Sequence, residues 1–594
     1  MKKRVADIIM EVLVEHDITT CFGVVGGGAM FLDNALLHCQ KIRKVFNHHE
    51  QACAMAAEAY ARYSGKMAVV CVTSGPGATN TLTGVMGAWQ DSYPMIVLSG
   101  QVRYSISVPS SGLNLRYRGI QEYQIVPAAR NMTKYAYMIT DPLEIKRELI
   151  KAIHIAYEGR RGPVWLDIPQ DIQNEVVDEN ELYPIEDSFE EQKCPSVSEV
   201  VLALEKLKNS LRPCVLAGSG IRSGDSYKEF IEFAKRVKIP VVGGSWVADV
   251  CYEEFPFYYG LSGNVGPRTG NFILQNADVI LVLGNSLGFR QTGFNIDGFA
   301  PKAKIIMVDV CRDESLKPGL RIDQFIESDL RSFFACTRKV ELATSVPTQW
   351  VDFCDELKHR FTPFEGAERA KDSERVVSYR FWEVFRTYEE DNSILALGNN
   401  TANTAKLQIG VKKPNQRVLT NYTCGSMGYD LPAAIGASVA SGRKVYCITG
   451  DGSIMMNLQE LQTIVGYDLP ISIVVFSNDG YNAIRQTSIN FFNGEIIGCT
   501  PDTGVTFPSF EAIAKTFGFS YRHCRRNGEL NKELKFLTES KERVFLEIDQ
   551  ILDDPVIPKV MSRLDSEGKM MTPALHDMYP FISEEELNRY MINE

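Results

Sequence analysis

Hydrophobic and polar positions along the chain switch between two periods, and each switch marks an element. Val5 to Glu15 carries apolar residues at helical spacing, and Thr20 to Val25 is a short strand-like run ending in Gly26-Gly27-Gly28. Glu50 to Ser64 reads as a helix rich in small residues, with Ala52, Ala56 and Ala59 spaced to pack closely against another surface. The apolar runs Met67 to Val72, Met95 to Ser99 and Pro163 to Pro169 have the continuous hydrophobicity of buried strands. Between the first two, the turn Thr73 to Asn80 leads into a new helix.

An acidic, irregular stretch from about Val177 to Ser196 interrupts the alternation and reads as a linker. A second unit begins at Pro213 and includes strands at Val279 to Leu283 and Ile305 to Val308. Glu341 to Arg375 is a second charged linker, partly helical, and a third unit opens near Val376. Strands alternating with helical patterns predict parallel sheets covered on both faces. The expectation is an α/β protein of three consecutive doubly wound parallel-sheet domains, at residues 1–180, 195–340 and 375–560. The first and last share one layout, as a duplicated ancestor would give. Residues 561–594 are expected to form a C-terminal surface extension or lid with short helices.

The most informative stretch lies in the third unit. Val445 to Thr449, the helical run Met456 to Val465 and Ile471 to Phe476 make a strand, crossover helix, parallel strand unit. Gly450-Asp451-Gly452-Ser453 and Asn478-Asp479-Gly480-Tyr481 then fall at the carboxyl ends of neighbouring parallel strands, where open α/β sheets bind ligands. Gly450 and Gly452 let the backbone approach an anion. Asp451 and Asn478 offer the hard oxygens that Mg²⁺ takes alongside phosphate. Together they read as a metal–diphosphate clamp, although Gly-Asp-Gly alone also fits a strand-to-helix turn with an N-capping Asp.

Length and composition narrow the picture. At 594 residues the chain exceeds a single core, and 45% hydrophobic with 23% charged residues is a globular balance. A net charge of −11 argues against nucleic acid and anionic membrane partners. No apolar run approaches the roughly 20 residues of a membrane span. Asp7 and Glu11 interrupt what would be a signal-peptide core. Fourteen cysteines without a C-x-x-C pair point to free, mostly buried thiols and a cytoplasmic location.

From Val5 to about Ile557 the sequence resembles the acetolactate synthase (acetohydroxyacid synthase) large-subunit family of thiamine-diphosphate-dependent enzymes. The matching stretches are Cys21-Phe22-Gly23 through Gly28, His49-Glu50-Gln51, Thr73 to Asn80, Gln121-Glu122 and Arg161-Gly162-Pro163, followed by Gly425-Ser426-Met427-Gly428 and Leu431 to Gly436. The clamp completes the set, with 27 positions from Asp451 to Asn478, as in the thiamine-diphosphate signature.

The resemblance implies thiamine diphosphate and Mg²⁺, with Asp451, Asn478 and the Gly480 carbonyl as metal ligands. It implies Glu50 as the acid that shares a proton with the pyrimidine, where the residue alone would read equally as a solvated helix-terminal Glu. By the same likeness Gly425 offers its carbonyl to the pyrimidine amino group and Met427 is the apolar wedge between the rings, a position that core filler could also occupy. Gly450, Gly452, Ser453, Asn399, Asn400, Tyr481 and Asn482 would surround the cofactor, and Gln121 and Gly27 would stand near substrate. At least a homodimer is implied, or a homotetramer, with each site shared by the first domain of one subunit and the last domain of its partner.

Three departures lie at the mouth. The chain has Arg485-Gln486-Thr487 where the family has Arg-Gln-Trp, and Ile120 where it has Phe. It has Gly284-Asn285-Ser286-Leu287-Gly288-Phe289-Arg290 for Gly-x-Arg-Phe-Asp-Asp-Arg. These remove bulk and a carboxylate-binding fork from the acceptor side, and the altered loop argues against a retained FAD. Gly218-Ser219-Gly220 and Asp309 could serve a nucleotide or be a plain strand-end turn.

The expected activity is decarboxylation of a small 2-oxo acid, pyruvate first, with transfer of a two-carbon unit to a second 2-oxo acid or to a keto-sugar nucleotide. The alternatives are a 2-oxo acid decarboxylase without ligation, a flavin-dependent pyruvate oxidase, or an inactive regulatory paralogue. Retention of Glu50, Asp451 and Asn478 argues against the last.

Overall fold

The computed structural model describes residues 1–185, 193–340, 346–421, 423–564 and 570–592. Its frame is three parallel six-stranded sheets joined by helices. The first holds, in chain order, Thr20–Gly23, Arg43–Phe46, Val69–Val72, Ile96–Gln101, Tyr135–Met138 and Val164–Pro169. The last holds Ile394–Leu397, Arg417–Leu419, Val445–Gly450, Ile471–Ser477, Ser520–Cys524 and Val544–Asp549. In both, the strands lie side by side as second, first, third, fourth, sixth, fifth. That identity of order is the shared layout the sequence suggested. The middle sheet, Pro213–Ala217 through Gln324–Glu327, runs third, second, first, fourth, fifth, sixth. All three orders reverse at an internal strand pair, which opens a crevice at the carboxyl ends there.

The helix Val5–Glu15 and the small-residue helix Glu50–Ser64 have the expected bounds. The second packs on the helix Asp430–Ser441 of the last domain, and Gly436 makes the approach possible: a Cβ there would stand 2.1 Å from the Ala56 carbonyl oxygen. The first and last domains consequently share one hydrophobic core, running from Phe22, Ala56 and Trp165 to Ile435, Ile473 and Phe545.

Several expectations are corrected. The strand after Thr20 stops at Gly23, because Val24 and Val25 already belong to the turn. Met456 to Val465 is not one helix: a short helix Asp451–Ile454 is followed by a turn and the helix Glu460–Gly466. The turn carries Asn457, whose Nδ2 donates to the Gly428 carbonyl at 2.8 Å and to Gln51 Oε1 at 3.0 Å. The acidic stretch after Val177 begins inside the strand Val176–Asp178, which pairs antiparallel with Lys2–Arg4; residues 186–192 of it lie outside the described residues. The second charged stretch contains the helix Thr348–Arg360, with 341–345 outside the described residues.

The C-terminal segment contains the short helix Glu584–Arg589, as expected, and straps onto the central domain. Leu575, Met578 and Tyr590 are buried against the central domain. Arg268 donates to the Met578 and Pro580 carbonyls, and Asn276 donates to the Tyr590 carbonyl at 2.8 Å. The apolar residues that looked patternless are the ones this contact buries. All fourteen cysteines are free, and most are buried. Among the described residues no helix is long and apolar enough to cross a membrane.

Candidate active site

The site residues singled out from sequence gather in two clusters, one at the carboxyl end of the first sheet and one at that of the last. In the last sheet, the strand Val445–Gly450 delivers Asp451, which is 3% exposed. Its Oδ1 accepts from the Gly452 N–H at 2.8 Å, and its Oδ2 accepts from the N–H groups of Asn478 at 2.9 Å and Gly480 at 3.2 Å. Burial raises the Asp451 carboxyl to about 6, against the pull of those three donors. A charge so placed is expensive without a cation.

Asn478 donates through Nδ2 to Gln550 Oε1 at 3.0 Å, and its buried Oδ1 has no partner. Asn482 repeats this arrangement: Nδ2 donates to Thr401 Oγ1 and the Asp554 carbonyl, and Oδ1 is orphaned. Asn400 accepts through Oδ1 from the Asn403 N–H at 2.8 Å and leaves Nδ2 unpaired, next to Gly450. Buried polar atoms in native proteins are normally paired, so three orphans around one buried carboxylate fit a polar ligand. The Asn478 oxygen, on a residue bonded to Asp451, suits a hard cation, and the Asn400 amide next to Gly450 suits an anion.

Gly480 adopts φ +152°, and a Cβ there would lie 2.0 Å from the Cys499 carbonyl oxygen, so only glycine allows its N–H to reach Asp451. Tyr481 packs over Gly452, where a Cβ would meet its ring at 2.2 Å. The Met427 methyl lies beside the same glycine. Gly425, at φ +63°, accepts from Asn399 Nδ2 at 2.7 Å. Ser453 spends its hydroxyl inside the protein, donating to Asp430 Oδ2 at 2.6 Å and accepting from the Gly428 N–H at 2.9 Å. Asp430 and Gln550 escaped the sequence reading. Each is buried and touches a clamp residue, but Gln550 lies 72 positions from Asn478 and no local pattern announces it.

In the first sheet, Glu50 opens the small-residue helix with His49 as its cap. It is half-buried and accepts through Oε2 from Asn80 Nδ2 at 3.0 Å, beside Gly77 of the helix Pro76–Asn80. Gly27 belongs to the turn that Thr73 Oγ1 holds by accepting from the Gly28 N–H at 2.9 Å. Gln121 sits at φ +62°, with its carbonyl so close to Gly75 that a Cβ there would be 2.3 Å away. The neighbouring Glu122 ties this excursion down by accepting from the N–H groups of Val108, Arg118 and Gly119. Burial works to raise the Glu122 carboxyl, but these donors hold it below the usual range. Glu50, Gly27 and Gln121 thus share one rim. Among the described residues no hydrogen bond joins Glu50 to the clamp of its own chain.

A third feature is a cavity of about 1130 Å³ between the first and central domains, at the crevice of the middle sheet. Arg222, Trp246, Ser286, Arg290, Asp309 and Arg331 are among its lining residues. Arg290 stacks on Trp246 with its guanidinium carbon 3.6 Å from the ring centroid. Gly218 and Gly220 pack against the Gly284 turn, where a Cβ on Gly218 would meet the Gly284 carbonyl oxygen at 2.2 Å.

Comparison with known proteins places these clusters in a lineage. Residues 3–123 match the thiamine pyrophosphate enzyme N-terminal TPP binding domain, 200–335 the central domain, and 396–548 the C-terminal TPP binding domain. The chain is similar to the acetolactate synthase isozyme 1 large subunit of Escherichia coli (strain K12), at 29% identity over 99% of this chain and 97% of that protein. It is 30% identical to the acetolactate synthase large subunit of Corynebacterium glutamicum, over 86% of this chain and 81% of that one. It is also 30% identical to the probable acetolactate synthase large subunit of Methanocaldococcus jannaschii, over 91% of each. The buried carboxylate with its orphaned amides lies inside the C-terminal match and Glu50 inside the N-terminal one. The chain therefore belongs to the acetolactate synthase large-subunit family of thiamine-diphosphate-dependent enzymes.

Proposed function

We propose that this enzyme is a Mg²⁺-dependent decarboxylating carboligase that takes a two-carbon unit from pyruvate and adds it to a carbonyl acceptor. The observation that carries the cofactor assignment is the clamp: a carboxylate almost without solvent, bonded to the backbone of Asn478, whose own Oδ1 is unpaired, with the unpaired Asn400 Nδ2 next to Gly450. Asp451, Asn478 and the Gly480 carbonyl would hold Mg²⁺, with the Ser453 N–H turned to the diphosphate and the Gly452 N–H kept on the Asp451 carboxylate. When bound, thiamine diphosphate supplies the electron sink on which a 2-oxo acid loses its carboxylate. Met427 would stand against the cofactor rings, and the Gly425 carbonyl would accept from the amino group. Glu50 would share a proton with the pyrimidine. Gln121 and Gly27 line the approach of the substrate.

Glu50 would serve the partner subunit's pocket, which makes a dimer the smallest working unit. Apolar side chains left exposed on the last domain, Ile484, Phe491 and Phe492, support burial against a second copy.

For the acceptor, the similarity to acetolactate synthases supports a second 2-oxo acid, which would give acetolactate. A keto-sugar nucleotide is the second reading, favoured by a mouth at which Ile120 is 90% exposed and Thr487 replaces a large ring. Product analysis with labelled pyruvate and a panel of acceptors tests both. Rapid acetolactate formation with keto sugars ignored would defeat the second, and carbon dioxide release without any ligated product would defeat carboligation itself. An absorption scan of the purified protein near the flavin bands reads whether a flavin is bound, as oxidase chemistry would need.

A further inference from the structure

The stretch Thr423–Gly428, which carries Gly425 and Met427, is flanked on both sides by residues fastened to the helix that begins at Glu50. Just before its entry, Arg417 donates through its Nη atoms to the Arg62 carbonyl at 2.9 Å and the Tyr63 carbonyl at 3.2 Å. Its Nε donates to Asp249 of the central domain at 2.7 Å. At the exit, Tyr429 is 1% exposed and donates its hydroxyl to Glu58 Oε2 at 2.5 Å. Glu58 is equally buried, and its other oxygen accepts from Arg62, which also donates to Asp91 at 2.6 Å. The next residue, Asp430, accepts from Thr449 Oγ1 at 2.7 Å and Ser453 Oγ at 2.6 Å, both in the diphosphate turn.

Two adjacent residues therefore point to two references, Tyr429 to the first domain and Asp430 to the clamp, and Met427 stands two positions upstream. We propose that Tyr429 and Glu58 form a positioning pair that sets the height of Met427 and of the Gly425 carbonyl over the diphosphate turn. Neither touches cofactor; both act through the segment they fix. The pair is not needed to compensate Glu58, whose charge is already met by Arg62 in a buried ion pair. What Tyr429 adds is direction, since one short bond to a fixed carboxylate leaves the segment a single register. This inference rests on the thiamine-diphosphate reading of the clamp.

The test is Tyr429→Phe, which keeps the buried ring and removes one oxygen, compared with Glu58→Gln, whose amide oxygen still accepts from the phenol. Three quantities are read: the affinity for thiamine diphosphate at saturating Mg²⁺, the near-ultraviolet circular dichroism of the bound pyrimidine, and kcat against KM for pyruvate. Tyr429→Phe should weaken cofactor binding about tenfold, the worth of one hydrogen bond to a charged group. It should also alter the dichroism band and lower kcat with KM unchanged, while Glu58→Gln, which keeps an acceptor for the phenol but breaks the ion pair with Arg62, lowers the melting temperature and leaves the band and kcat near wild type. Wild-type affinity, band and kcat in Tyr429→Phe would overturn the proposal, as would equal losses in both variants with a matching fall in melting temperature, the mark of a merely structural role. Failure of the wild-type protein to bind thiamine diphosphate would instead overturn the reading of the clamp.

Discussion

Asp451 Oδ2 accepts the backbone N–H of Asn478 at 2.9 Å, across a strand boundary and 27 positions of sequence. The bond joins the two halves of the clamp before any ligand arrives, so the carboxylate is oriented in advance. Asp451→Asn must turn its NH2 toward either the Gly452 N–H or the N–H groups of Asn478 and Gly480, and it carries no charge for a cation. We expect the affinity for thiamine diphosphate with Mg²⁺ to fall by about 100-fold or more, with far-ultraviolet circular dichroism unchanged. Titration calorimetry checks this. An affinity within a few-fold of wild type would remove Asp451 from the metal site.

Much of this was legible in the chain because glycines and short polar side chains have few structural excuses at strand ends. Gly480 and Asp451 are both recognisable from a strand, turn, helix pattern that only a ligand or a tight turn explains. The repeated alternation likewise suggested one layout for the first and last domains, although the strand order itself came only from the structure. What was not legible depends on distant packing. Gln550 orients Asn478 from the end of another strand, and Asn457 breaks a run that reads as a continuous helix because its side chain is drawn to Gly428 and Gln51. The tail failed for the same reason: its apolar residues follow no period because they fill gaps in the central domain.

The strap supplies a stability prediction. Asn276 is wholly buried, donates to the Tyr590 carbonyl at 2.8 Å and accepts from the Ile592 N–H at 2.7 Å. Asn276→Ala leaves both backbone groups unpaired, at a cost of about 1–3 kcal/mol for each that stays buried. Faster cleavage of the tail by a protease should accompany a lower melting temperature, with cofactor affinity unaffected. If the tail were a lid, affinity or KM would change before stability did.

Asp167 supplies a pH prediction. It lies in the strand Val164–Pro169 with no exposed surface, accepting from Ser99 Oγ at 2.6 Å and Gln101 Nε2 at 3.0 Å. Burial raises its pKa from 3.8 to about 7, which the two donors only partly oppose. Because the folded value is raised, the contribution of Asp167 to stability is complete below the unfolded value and is lost as pH climbs through about 7. The window is roughly pH 4 to 7, and its full span is on the order of 4 kcal/mol. Asp167→Asn should be pH-independent in this respect. The difference in melting temperature between wild type and variant should therefore shift in favour of the variant as pH rises from 5 to 8. A difference that stays constant over that range would show that Asp167 keeps an ordinary carboxylate pKa.

Glu50 tests catalysis and assembly together. A carboxamide oxygen still accepts from Asn80, so Glu50→Gln should fold, bind cofactor within a few-fold of wild type and lose about 10²–10⁴ in kcat, the usual range for a proton-transferring group. Asp451→Asn should be inactive for a different reason, loss of the metal. If Glu50 of one subunit serves the clamp of its partner, a pair made of one chain of each variant holds one doubly damaged site and one intact site. Unfolding and refolding the two inactive proteins together in equal amounts should then restore roughly one quarter of the wild-type rate, since half of random pairs are mixed. If Glu50 instead serves the clamp of its own chain, every site in the mixture carries one lesion and no activity returns. The rate after mixing thus distinguishes a shared site from a self-contained one without a structure of the assembly.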